Sequence, residues 1–67
     1  MKVHDFGPDT TLYYRYRVDI PNEYKYAIRF DIVEKWSEEN HIECSLLPGF
    51  AFFRNYQDVV LFLLRWS

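Results

Sequence analysis

Leu12, Tyr14, Tyr16, Val18 and Ile20 alternate with Tyr13, Arg15, Arg17 and Asp19. A period of two made from β-branched and aromatic residues predicts a strand with one buried face, here over 11–19. Its outward phase, Tyr13-Arg15-Arg17, is aromatic and basic. Pro21 ends it. The next stretch carries two patterns at once. Tyr24, Tyr26, Ile28, Phe30 and Ile32 alternate as in a strand, whereas Tyr26, Phe30, Val33 and Trp36 form one helical stripe with Glu23, Asp31, Glu34, Lys35 and Glu38 largely opposite. Pro21 suits a first helical position, and Glu23 follows in the first turn. Asp31 and Lys35 are a favourable i,i+4 pair. No Gly, Pro or polar loop separates Phe30 from the plainly helical Ile32–Glu39. The expectation is therefore one helix over 21–40. The alternative is a β-hairpin across Pro21-Asn22-Glu23, followed by a short helix from Asp31.

Further on, Ile42, Cys44 and Leu46 alternate with Glu43 and Ser45, which predicts a strand over 42–46. Pro48-Gly49 marks a tight turn. Phe50, Ala51, Phe52 and Phe53 then form the second strand of a hairpin. Asn55 is a good N-cap, with Asp58 three residues on, so the last helix runs over 56–66. That helix holds an unbroken apolar run from Val59 to Leu64, and Trp66 follows. A surface helix shows one apolar stripe, but this one is apolar on nearly every side. It is either the centre of the fold or part of a contact with another chain. Residues 1–10 contain Gly7, Pro8 and Asp9 and read as a turn-rich arm. The predicted fold is an α+β two-layer sandwich in the order βαββα, with an antiparallel sheet and helices on one face. With the hairpin alternative the order becomes ββαββα. Tyr14, Tyr16, Val18, Phe30, Val33, Cys44, Phe52, Val60 and Leu63 are the expected core.

Composition narrows the class. The length of 67 residues allows a single domain. A chain this short buries only about 60% of its unfolded surface, so it needs a dense core. Six Phe, six Tyr and two Trp supply one, since each large ring can bury about 150–250 Å². The net charge of −2 argues against an electrostatic nucleic-acid binder. Cys44 has no partner for an internal disulfide, so a reducing, cytoplasmic setting is expected. The N-terminus lacks a basic segment followed by an apolar one, so no signal peptide is expected. The run Val59–Leu64 is far shorter than the roughly 20 residues needed to span a bilayer, and no membrane role is expected.

The stretch Phe53-Arg54-Asn55-Tyr56-Gln57-Asp58-Val59-Val60-Leu61-Phe62-Leu63-Leu64-Arg65-Trp66 resembles the strand-turn-helix ending of short accessory proteins of tailed bacteriophages. There an aromatic strand and a polar turn lead to Asp, small apolar residues, Phe and Leu-Arg-Trp. Lys35-Trp36-Ser37-Glu38-Glu39-Asn40 is similar to a helix end in the same proteins. Together these cover about a third of the chain. The motifs are structural and carry no catalytic residue. The resemblance implies a virus-encoded accessory protein, placed in the host cytoplasm, with no particular activity.

Candidate chemistry is sparse. His41, Glu43 and Cys44 could be metal ligands, with His4 and Asp5 supplying more. A strand would put His41 and Glu43 on one face and Cys44 on the other, and no zinc spacing exists. Cys44 as a nucleophile needs a base and a lowered pKa, but its phase with Ile42 and Leu46 points to burial. No acid, base and nucleophile coincide, so no enzyme, metal or cofactor is expected. The outward Tyr13, Arg15 and Arg17 suit a protein contact, because Tyr and Arg are enriched at hot spots. The same face could stack single-stranded nucleic acid, which is the alternative function. Arg15 and Arg17 could instead pair with Glu43 across the sheet. If Val60 and Leu63 face the sheet, Leu61, Phe62 and Arg65 fall outside. They would form a patch for a homodimer or another partner. A competing arrangement covers Leu61 and Phe62 within one chain. The expected function is a non-enzymatic interaction protein, a modulator or inhibitor that occupies a protein surface.

Overall fold

A computed structural model describes residues 1–8, 11–24 and 26–66. Its elements are β1 (Lys2–Asp5), β2 (Tyr16–Asp19), a 3₁₀ turn (Asn22–Tyr24), α1 (Phe30–Glu39), β3 (Cys44–Leu47), β4 (Phe50–Phe53) and α2 (Tyr56–Trp66). The four strands form one sheet in the order β1-β2-β4-β3, with every neighbouring pair antiparallel. β2 and β3 therefore run in the same direction with β4 inserted between them. Such a step needs a crossover, and α1 supplies it. The class is the expected α+β sandwich, in the order ββαββα.

The extra strand is not the one the alternation at 24–32 offered. It is β1, inside the segment expected to be a turn-rich arm. β1 pairs with β2 from Lys2↔Asp19 to Asp5↔Tyr16. The strand expected over 11–19 is regular only from Tyr16, because that is where partners exist on both sides. Leu12 to Tyr14 have the alternating pattern but no ladder. The single helix expected over 21–40 is also divided. Arg29 is extended, with φ −107° and ψ 152°, and α1 begins after it. The preceding turn drops Ile28 into the core and presents the carbonyl of Ala27 to the indole Nε1–H of Trp66 at 3.2 Å. A buried indole needs that acceptor, so tertiary packing overrides the helical stripe there.

The cross-strand register sorts the sheet into rows. Val3, Val18, Ala51 and Leu46 form one row, and Asp5, Tyr16, Phe53 and Cys44 another. Both rows lie on the side of the helices, with α1 over β3 and α2 over β2 and β4. Val18, Ala51 and Phe53 are buried beneath them. Phe62 is the centre of this core. Its ring centroid lies 4.9 Å from Trp66, 5.2 Å from Phe53 and 5.9 Å from Trp36.

α2 buries Val59, Phe62 and Trp66, so its phase is one residue from the expected one. Val60, expected inside, is exposed. Phe62, expected in an outward patch, is wholly buried, and it is covered by α1 of its own chain through Trp36. In a continuous apolar run, burying the two largest rings removes the most apolar area from water. Phe30, another expected core residue, is exposed at the start of α1. Tyr14, Cys44, Phe52 and Leu63 are half-buried, while Tyr16, Val18 and Val33 are buried as expected.

α1 ends in a Schellman motif. His41 sits in the left-handed region at φ 56°. Its N–H donates to the carbonyl of Glu38, and the N–H of Ile42 donates to that of Ser37 at 2.8 Å. Glycine usually holds this position. Among the described residues no helix is long and apolar enough to cross a membrane.

Candidate functional site: the uncovered face of the sheet

The other two rows of the sheet face away from both helices. They are Lys2, Asp19, Phe50 and Leu47, and His4, Arg17, Phe52 and Ser45. Parity decides this. Once Ala51 and Phe53 turn toward the helices, Phe50 and Phe52 must turn away. Phe50, on the central strand β4, is 39% exposed, and Leu47, at the end of the edge strand β3, is 52% exposed, so both leave apolar surface on this face.

These rings join into a continuous ladder. Phe50 and Phe52 have centroids 6.5 Å apart, Phe52 and Tyr14 6.5 Å, and Tyr14 and Tyr13 4.9 Å in an edge arrangement. A guanidinium stands at each end. Arg17 lies 5.2 Å from the Phe50 centroid, and Arg54 lies 4.7 Å from that of Tyr13. Leu12, Tyr13 and Tyr14 on one side and Ser45, Leu47 and Phe52 on the other line a shallow cleft of about 300 Å³.

Each arginine on or beside the ladder is also held by a carboxylate. Arg17 Nε donates to Asp19 Oδ1 at 3.0 Å, and His4 Nε2 lies 2.8 Å from Asp19 Oδ2. The His4 hydrogen bond, with Arg17 nearby, holds the Asp19 carboxyl below its ordinary range. Arg54 approaches Glu43 at 3.6 Å, and the Tyr13 hydroxyl donates to Glu43 at 2.7 Å. Arg15 turns away from the ladder. It grips Asp5 with two hydrogen bonds of 2.8 and 3.0 Å and lies over the ring of Tyr16. That grip, with the Gly7 N–H, lowers the Asp5 pKa to about 2.

The residues expected to bind a partner are thus not one surface. Tyr13 and Arg17 lie on the ladder. Arg15 is at the end of the sheet with Asp5, and Glu43 binds neither Arg15 nor Arg17. Leu61 is exposed on α2, Arg65 lies over the Trp66 ring, and Phe62 is in the core. Phe50, Phe52 and Tyr14 are the members that sequence reasoning missed. The run Phe50–Phe53 has aromatic rings in both phases, so alternation could not say which faced out. Ala51, the one small residue, was the available signal, because a helix packs close where a side chain is small.

Among the described residues, no three His, Cys, Asp or Glu side chains converge as metal ligands. Burial raises the Cys44 thiol pKa, which opposes formation of a nucleophilic thiolate. Compared with known proteins, the chain matches no family model, no curated protein and no solved structure.

Proposed function

We propose that this protein is a non-enzymatic interaction module that binds another protein through the aromatic ladder on the open face of its sheet. The observation that carries this reading is the uninterrupted chain of Phe50, Phe52, Tyr14 and Tyr13 with an arginine at each end, uncovered by either helix. Rigid aromatic and arginine side chains are the anchors that dominate protein interfaces. Tyr13 and Phe50 are exposed and Tyr14 and Phe52 half-buried, so the row offers apolar surface outside the core that the helices cover.

The ion pairs favour a protein over a nucleic acid. A phosphate backbone gains affinity from cations that are free to neutralise it. Here it would have to displace Asp19 from Arg17 and Glu43 from Arg54. A protein surface can accept the paired arrangement as it stands. Occupying a partner's surface is the action of a modulator or inhibitor. Through the C-terminal resemblance to phage accessory proteins, the reading extends to a host or viral target in the cytoplasm.

Affinity capture with variants tests the reading. Wild type and Leu64→Ser, altered on the exposed side of α2, should retain the same partner. Phe50→Ser combined with Tyr13→Ser should lose it while keeping the wild-type circular dichroism spectrum. Loss of the partner with Leu64→Ser, or retention with the ladder variant, would overturn the proposal.

A further inference from the structure

The two edges of the sheet differ in chemistry. β1 presents Lys2, His4 and Asp5 along its edge, which discourages another strand from pairing. β3 is Cys44-Ser45-Leu46-Leu47, with no charge and no proline. Among the described residues no backbone hydrogen bond from another segment reaches its outer side. Its unpaired N–H and C=O groups are a template for strand addition.

What lies above that edge selects the strand. α1 packs over β3 and turns Trp36 toward α2. With Val33 and Ser37 facing the sheet, the helical repeat puts Phe30, Glu34 and Glu38 on the flank away from α2. All three are exposed, and Glu34 and Glu38 have no ion-pair partner among the described residues. At the Phe30 end, a mostly apolar cleft of about 490 Å³ opens between Ile20, Ile28, Phe30 and Leu46, with Arg29 and the Pro48-Gly49 turn also on its wall. α1 and β3 run in opposite directions along this edge. Residues four apart on a helix are separated by about 6.0 Å. Alternate residues of a strand are separated by about 6.8 Å. An added strand would therefore set successive same-side residues against Phe30, Glu34 and Glu38 in turn.

We propose that the β3 edge takes an extended segment of another protein, antiparallel to β3, with the pattern apolar-x-basic-x-basic. Its apolar residue enters the cleft at Phe30, and its two basic residues meet Glu34 and Glu38. A second copy of this chain does not fit the same edge. A twofold pairing of β3 with β3 would bring two α1 flanks together, each carrying Glu34 and Glu38, and like charges repel. This site is separate from the ladder and does not depend on it.

The probe is a capped peptide, Thr-Phe-Thr-Arg-Thr-Arg-Thr, with a control in which both arginines are glutamates. Both are titrated to millimolar concentration against the full chain labelled with ¹⁵N. The arginine peptide should shift and protect from exchange the amides of Cys44–Leu47 and shift those of α1. The glutamate peptide should bind at least about fivefold more weakly, the size expected from two exposed ion pairs. Glu34→Lys with Glu38→Lys, both at exposed positions, should reverse that preference. The proposal would be overturned by no response at β3, an unchanged preference in the double variant, or β3 protection that rises with protein concentration without peptide. Shifts confined to Phe50 and Phe52 would also overturn it, placing the peptide on the ladder.

Discussion

Replacing Phe62 with alanine should remove most of this protein's stability. The ring has no exposed surface and touches three other aromatic rings, those of Phe53, Trp36 and Trp66. It joins the sheet to both helices, so no single neighbour can move to fill the space. A buried Phe→Ala change costs about 3–5 kcal/mol, made up of lost transfer energy and the cavity left behind. Against this, a chain of 67 residues has a total of roughly 3–10 kcal/mol, at about 0.05–0.15 kcal/mol per residue. The variant should therefore sit at or beyond the edge of folding at 25 °C. Leu64→Ala, two residues on, is the control. Leu64 is 76% exposed, and truncating it should change stability by no more than about 0.5 kcal/mol. Urea melts followed by far-ultraviolet circular dichroism measure both. Phe62→Leu should fall between them and keeps the comparison measurable if the alanine variant does not fold. Equal losses for Phe62→Ala and Leu64→Ala would refute the phase assigned to α2 and the core built on it.

Further outcomes follow from the backbone and the charges. His41 pays for a left-handed conformation that glycine adopts freely, so His41→Gly should stabilise the fold by about 0.5–1 kcal/mol in the same melts. A loss would mean that its side chain makes a contact worth more than the strain. Asp5 is held at about 2, below its ordinary 3.8, mainly by Arg15. A carboxylate with a lowered folded-state pKa stabilises the fold above its unfolded value and loses that contribution as pH falls toward the folded one. Stability should therefore decline between about pH 4 and pH 2, and Asp5→Asn should flatten that decline. An unchanged slope would show that Arg15 does not hold Asp5 in solution.

The parts of the fold that could be read from the sequence are those with one dominant signal. The hairpin around Pro48-Gly49 and the helix Tyr56–Trp66 lie where turn residues and an N-cap bracket long apolar runs. The parts that misled had patterns whose partners lie elsewhere in the chain. Leu12–Tyr14 alternate as well as Tyr16–Val18 do, but β1 and β4 pair only with the later residues. Lys2–Asp5 carries a weak signal and becomes a strand because β2 offers it an edge. The candidate site failed on phase. Phe50–Phe53 and Val59–Leu64 are apolar at nearly every position, so their orientation is set by which rings bury most area together. Tyr13 and Arg17 could be picked out because they alternate with apolar neighbours. Phe50 and Phe52 could not, since nothing polar beside them marked the outward side.

The most direct measurement of the central claim is photo-crosslinking in cells. A benzoylphenylalanine placed at Phe50, in the ladder, is compared with one at Glu39, exposed on the outer side of α1. The ladder reading predicts a discrete adduct with another protein from position 50, resistant to nuclease and lost when Tyr13 is also changed to serine, and no such adduct from position 39. An adduct that forms equally from both positions, or one that nuclease removes, would contradict it.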